Sequence, residues 1–233
     1  MCKKNSKIPN KTSKNQLIYG IHSVIAALLN KKRIHSELIL QENTSFPVEK
    51  FKSKIKKIKF LDQKQFKKLY GNEQSTQGVV LFTEEFKRPS LEEFIEIENK
   101  KTKSIILVLD QITDPQNIGS ILRSCALFDC NGVVVSKDNS PELTPSLLKA
   151  ASGASEIVNY FKVTNIRRSL LYFKKKGYWI YGFDNASKGK SDLNFEKKSV
   201  LVFGSEGKGI RDLIKKECDI SIKLNMEDNS NFE

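Results

Sequence analysis

Residues 105–136 read IILVLDQITDPQNIGSILRSCALFDCNGVVVS. An apolar run ends in Asp110, a Pro-containing loop follows, and Ile118, Ile121, Leu122, Cys125, Ala126 and Phe128 then keep a mostly apolar helical segment before a second apolar run, GVVVS. Strands that are continuously apolar, rather than alternating, belong to parallel sheets covered on both faces by helices. The same reading extends through the rest of the chain. Strands are expected at 105–110, 132–136, 157–161, 178–184, 199–204 and 219–223, and helices at 117–129, 144–152, 166–176 and 210–217. Such alternation predicts a doubly wound α/β domain. In these sheets ligands bind beyond the carboxyl ends of the strands, where the loops at 110–117 and 204–209 both fall.

Upstream, the composition changes. Residues 1–15 are lysine, asparagine and serine with almost nothing apolar, which predicts a disordered basic arm. Ile21, Val24, Ile25, Leu28 and Leu29 recur at helical spacing, and ELILQ follows as a short strand. KFKSKIKKIKFLD places Phe51, Ile55 and Ile58 on one helical face; KQFKKLYG gives a second short helix and GVVLFT a strand. The expected organisation is therefore an arm at 1–15, a small α/β domain at 16–83, a linker with a short helix at 84–103 around Pro89, and the parallel-sheet domain at 104–233.

Charge follows that division. Residues 1–83 hold 17 Lys or Arg against 5 Asp or Glu, whereas residues 104–233 hold 18 against 16, so most of the net +13 belongs to the front. AT-rich coding would enrich lysine, but evenly along the chain. A localised positive field attracts polyanions through counterion release, so the partner is expected to be nucleic acid, with RNA or DNA left open by charge alone. No apolar stretch approaches the roughly 20 residues that cross a bilayer, and the N-terminus lacks the apolar centre of a secretory signal, so the expected location is the cytoplasm, with no membrane partner. Cys2, Cys125, Cys130 and Cys218 form no C-x-x-C pair and have no histidines at metal spacing. Reduced structural thiols and no metal are expected.

The two loops carry the candidate chemistry. FGSEGKGI (203–210) follows a buried strand and opens a helix, but it fits neither phosphate fingerprint: Lys208 is followed by glycine, and Glu206 would repel a phosphate. Two readings stand: a tight strand-to-helix turn, or close backbone approach to a neutral or positive ligand. In DPQNIGSILRS, Asp114 and Pro115 suit a helix start. Arg123, among apolar neighbours, either pairs with an Asp of the loop or serves a ligand.

Taken together, the loops in this order and a C-terminal ISIKLN strand resemble the SpoU family of ribose 2'-O-methyltransferases, within the SPOUT class. Asp114, Pro115, Asn117, Gly119, Arg123 and Ser124 match its first motif, Gly204, Glu206, Gly207 and Gly209 its second, and Ile220, Ser221 and Ile222 open its third. YGIHSVIAALLNKKRI and STQGVV resemble the start and end of the family's L30e-like RNA-binding domain. The likeness covers residues 17–224 and is nearest to the subgroup acting on guanosine of 23S rRNA.

The resemblance implies a small L30e-like domain followed by a parallel-sheet SPOUT domain with a trefoil knot, and S-adenosylmethionine as cofactor, held by Gly204, Gly207, Gly209, Ile222 and Leu224. It implies catalytic roles for three residues. Arg123 would activate the ribose hydroxyl, Asn117 would orient the ribose or Arg123, and Glu206 would hold Arg123 or Asn117. It further implies a homodimer, RNA (rRNA, with tRNA as the alternative) rather than DNA as substrate, and no metal. The family's third motif normally continues into S-L-N-V-S and a long final helix, whereas this sequence stops at IKLNMEDNSNFE. The resemblance therefore carries two further expectations: a knot lacking its C-terminal part, and, as a rival function, RNA binding without catalysis.

Overall fold

The computed structural model describes residues 15–71, 76–184 and 194–223. Within them the chain clusters into two compact units. One contains residues up to Arg88 with 115–124 and 142–157; the other contains 89–114, 125–141 and 158 onward.

The first unit is built on a four-stranded sheet. Strands β1 (Asn15–Tyr19), β2 (His35–Gln41), β3 (Ile58–Leu61) and β4 (Val79–Glu84) lie in the order β1-β4-β2-β3, with β2 and β3 parallel and the other pairs antiparallel. Helix α1 (Ile21–Leu29) supplies Val24, Ala27 and Leu28 to a core with Leu38, Leu40, Val79 and Leu81. Helix α2 (Gln63–Tyr70) packs Phe66 against Ile39, Val80 and Phe82. Asp62 caps α2 by accepting from the Gln65 amide at 2.8 Å.

Two parts of this unit differ from the sequence reading. Strand β1 is not anticipated there, although its Ile18 is almost fully buried. The helix expected around Phe51, Ile55 and Ile58 is absent: two short 3-10 turns (Val48–Lys50 and Lys52–Lys54) are followed by β3, which takes Ile58. Lysines at 50, 52, 54, 56 and 57 would repel one another one turn apart on a helix. Phe51 and Ile55 reach the core without one.

The second unit carries the six-stranded sheet, all parallel, in the order β10-β8-β9-β5-β6-β7. Its strands are β5 (Ser104–Leu109), β6 (Gly132–Ser136), β7 (Asn159–Val163), β8 (Trp179–Phe183), β9 (Lys198–Phe203) and β10 (Ile220–Ile222). The expected parallel α/β architecture is present, with ends shifted by a residue or two. Helices α6 (Ile166–Lys175) and α7 (Asp212–Lys215) and the helix expected within the linker, α3 (Leu91–Glu98), supply Leu170, Phe173, Ile214, Phe94 and Ile95 to a core with Ile106, Val108, Val200 and Val202. Ser90 and Glu93 close a capping box at the start of α3.

Helices α4 (Pro115–Leu127) and α5 (Pro145–Ala150) and a 3-10 turn (Ala154–Glu156) follow in the segments between these strands. The sequence reading places 115–124 and 142–157 in the parallel-sheet domain; in the structure these residues cluster with the first unit. No described helix is long and apolar enough to cross a membrane.

Candidate active site

The order of the sheet fixes where a ligand can enter. From β5 the chain moves outward through β6 and β7, and then returns to the other side of β5 as β9 and β8. The reversal lies between β5 and β9, which makes their carboxyl ends the crevice of such a fold. Asp110 directly follows β5, Gly204 follows β9, Asp184 follows β8, and Ile222 ends β10.

Asp110 is fully buried, and its carboxylate is completely engaged by Arg211. The Arg211 amide donates to it at 3.0 Å, Nε at 2.9 Å and Nη2 at 2.6 Å. That charge-assisted pairing raises the already high Arg211 pKa. The same pair pins the start of α7, and with it the loop before it, to the end of β5. Just beyond, Gln111 adopts φ 62°, a left-handed conformation that turns the chain out of the sheet. On the far side Lys215 of α7 pairs with Asp184. Sequence reading assigns no role to Asp110, Arg211, Lys215 or Asp184; the only signal is a strand ending in an acid and an arginine directly after the glycine loop.

The 204–209 loop is a tight hairpin. The Gly209 amide donates to the Ser205 carbonyl at 2.8 Å, and Ser205 and Gly209 form an isolated bridge. A side chain on Gly204 would place its Cβ 1.9 Å from the Gly209 carbonyl carbon, so the crossing demands glycine. Gly209 has φ +65°. By contrast, nothing lies within 4 Å of a Cβ built on Gly207, and Glu206 beside it is exposed and has no partner among the described residues. Both readings of the loop therefore have support: Gly204 serves the turn, and Gly207 leaves open space. The Ile222 side chain is buried and its carbonyl accepts from the Asp184 amide at 2.9 Å, tying β10 to β8 at this edge. Phe183 and Phe203, opposite one another on β8 and β9, stack with ring centroids 4.5 Å apart and planes 2° from parallel. Leu224 lies outside the described residues.

Asn117 and Arg123 stand on α4. Ile118 and Leu122 turn inward and are fully buried, whereas Asn117, Ser120, Arg123 and Ser124 are exposed along one face. The Arg123 side chain is exposed on this face of α4. Asn117 and Arg123 belong to the first compact unit; Glu206 and the cofactor candidates Gly204, Gly207, Gly209 and Ile222 belong to the second.

Helix α4 ends through a left-handed residue, Asp129 (φ 57°), and the Cys130 amide donates back to the Cys125 carbonyl at 2.8 Å, a Schellman closure. It brings the two thiols together: the hydrogen bond to Cys130 and burial raise the Cys125 pKa, and the same bond lowers that of Cys130. Burial also pushes Cys218 up to about 11. No group of three or more His, Cys, Asp or Glu suited to a metal occurs among the described residues.

Comparison with known proteins matches two family models to the chain. The model described as the SpoU rRNA Methylase family covers residues 104–231, and that described as RNA 2'-O ribose methyltransferase substrate binding covers residues 17–89. The chain is similar to the 23S rRNA (guanosine-2'-O-)-methyltransferase RlmB of Neisseria meningitidis, 34% identical over 90% of this chain and 85% of the relative. It is similar also to the protein of that name from Pseudomonas putida, 31% identical over 92% and 88%. In fold it resembles the SpoU methyltransferase AviRb from Streptomyces viridochromogenes, solved in complex with the cofactor AdoMet. The TM-score is 0.76 at 16% identity, over 94% of this chain and 83% of that one.

Proposed function

The chain belongs to the SpoU rRNA methylase family, and from that premise we propose that it methylates a ribose 2'-hydroxyl of RNA, on a guanosine of 23S rRNA, using S-adenosylmethionine. The observation that carries this is the joint match, in one chain, of a substrate-binding module at 17–89 and a methylase module at 104–231. Modules bounded at 16–83 and 104–233, with residues 84–103 joining them, are part of the same reading. So are the basic arm at 1–15, which lies mostly outside the described residues, a homodimer, a cytoplasmic location and a trefoil knot in the second module.

S-adenosylmethionine would supply a methyl group on a sulfonium to the ribose 2'-oxygen, leaving the thioether S-adenosylhomocysteine, while the hydroxyl proton would pass to water. The open space at Gly207 and the backbone at Gly204 and Gly209, all at the carboxyl edge of the sheet, support a role for this loop in binding that cofactor, with Ile222 at the neighbouring strand end. Arg123 is poorly suited to accept a proton, since a guanidinium offers N–H donors and no acceptor. Its role is to donate hydrogen bonds to the ribose oxygen and an adjacent phosphate, lowering the cost of the developing negative charge. Asn117 orients the ribose through its amide. Glu206, acceptor-only when ionised, fixes a guanidinium or an amide. The nine lysines within residues 50–68, against the single acid Asp62, supply the electrostatic grip on RNA.

Incorporation of labelled methyl from S-adenosylmethionine into transcripts of 23S rRNA and of tRNA tests the proposal. Label on a 2'-oxygen of 23S rRNA is expected; label confined to tRNA would move the substrate, and none on any RNA would overturn the reaction.

A further inference from the structure

Residues 142–157 are built into the first unit so closely that their position is fixed at several points. The Ser23 hydroxyl of α1 donates to the Leu148 carbonyl at 2.9 Å in a buried hydrogen bond. Gly153, at φ +92°, lies flush on the same helix: a Cβ there would come within 2.4 Å of the Ala26 Cβ. On its other side α5 meets α4 with as little clearance, since a Cβ on Gly119 would stand 2.4 Å from the Ala150 Cβ. Helices α1, α5 and α4 are thus packed in one unbroken series, and α4 is the helix that carries Asn117 and Arg123.

One buried ion pair closes this series. The Glu156 carboxylate accepts from Arg33 Nε at 2.7 Å and Nη2 at 2.8 Å, and from Asn30 Nδ2 at 2.7 Å. The Arg33 side chain is 0% exposed and that of Glu156 5%. Arg33 Nη1 continues to the Glu84 carbonyl at 3.3 Å, and Arg88 Nη2 holds the adjacent Ser155 carbonyl at 2.9 Å. Phe86 lies under both guanidinium groups, with centroid distances of 4.8 and 4.5 Å. Three side chains of the substrate-binding match (Asn30, Arg33 and Arg88) therefore grasp two consecutive residues of the methylase match (Ser155 and Glu156). Removing two charges from water costs about as much as their attraction returns, so such a pair adds little net stability. What a planar fork on a carboxylate supplies is fixed geometry.

We propose that Arg33 and Glu156 are positioning residues for methyl transfer: their ion pair sets the register between the RNA-binding module and α4, so that a ribose held by that module is presented to Arg123. This rests on the function proposed above.

The test uses the full chain with Glu156→Gln, which keeps shape and loses charge, and the milder Arg33→Lys, which keeps charge and loses the fork. Single-turnover methylation of a 23S rRNA transcript is measured beside the affinities for that transcript and for S-adenosylmethionine, and thermal unfolding reports whether each variant is folded. The expected result is a methylation rate at saturating RNA at least tenfold below wild type in Glu156→Gln, a smaller loss in Arg33→Lys, and both affinities within twofold of wild type. Wild-type rates in both folded variants would overturn the inference while leaving the proposed function intact. A loss confined to RNA affinity would overturn it too, because the pair would then serve binding. A wild-type chain that binds neither RNA nor S-adenosylmethionine would instead remove the underlying function. Should Glu156→Gln fail to fold, Arg33→Lys decides alone.

Discussion

Arg123 is exposed on α4, and its truncation should separate chemistry from binding. Arg123→Ala is expected to lower single-turnover methylation by about 10²- to 10³-fold, the usual loss when one donor to a developing oxyanion is removed, with S-adenosylmethionine affinity unchanged. Calorimetry beside the methylation assay checks both halves. His35 gives a prediction of another kind. It is buried, its Nδ1 has no partner among the described residues, and burial first, then Arg33 and Lys54, lower its pKa against the opposing pull of Glu156. The folded chain therefore resists protonating it, whereas the unfolded chain binds that proton near pH 6.5. Stability from this group is complete above about pH 6.5 and declines as the pH falls through that value. Urea midpoints at pH 8 and pH 5.5 should differ less in His35→Gln than in wild type; an equal difference would sink the assignment.

Among the elements, the α7 start is held by a carboxylate to which sequence reading gives no role. Arg211→Ala would leave Asp110 buried with only the backbone amide as donor, and a loss of about 2–3 kcal/mol is expected, at the low end for a buried charge stripped of its partner because half of Arg211 is open to water. Asp110→Asn, which buries no charge, should cost less; denaturant unfolding of the two variants gives the order. The sheet strands are legible in sequence because Ile105–Leu109, Val133–Val135 and Val200–Val202 are apolar on both faces, a local signal that needs no knowledge of neighbours. The segment 48–57 misleads because Phe51 and Ile55 have a helical spacing that the surrounding lysines make untenable. The site is legible only in part. Asn117, Arg123 and Glu206 are candidates through the family resemblance of their two motifs, whereas the Asp110–Arg211 clamp and the Arg33–Glu156 pair join residues 101 and 123 positions apart, and only the fold brings them together.

For the whole molecule the decisive property is uneven charge, with the net positive balance in the front third of the chain. RNA affinity should fall steeply with salt. Replacing Lys56, Lys64, Lys67 and Lys68, all exposed, by glutamine should weaken binding and flatten the slope of log K against log salt by up to about 0.7 for each single-stranded phosphate that the protein no longer neutralises. Filter binding between roughly 50 and 300 mM KCl, the range over which such ion pairs dissociate, measures it; an unchanged slope would place the RNA elsewhere.

The strand order has a further consequence, for biosynthesis. β9 lies between β5 and β8, so β5 keeps a bare flank until a segment roughly 90 residues downstream has left the ribosome. At translation speeds of about 5–20 residues per second that interval lasts on the order of 5–20 s, during which the nascent chain offers unpaired amides and carbonyls to any passing β-structure. Chaperone dependence and inclusion-body formation on rapid overexpression should accordingly track the delay before β9 emerges.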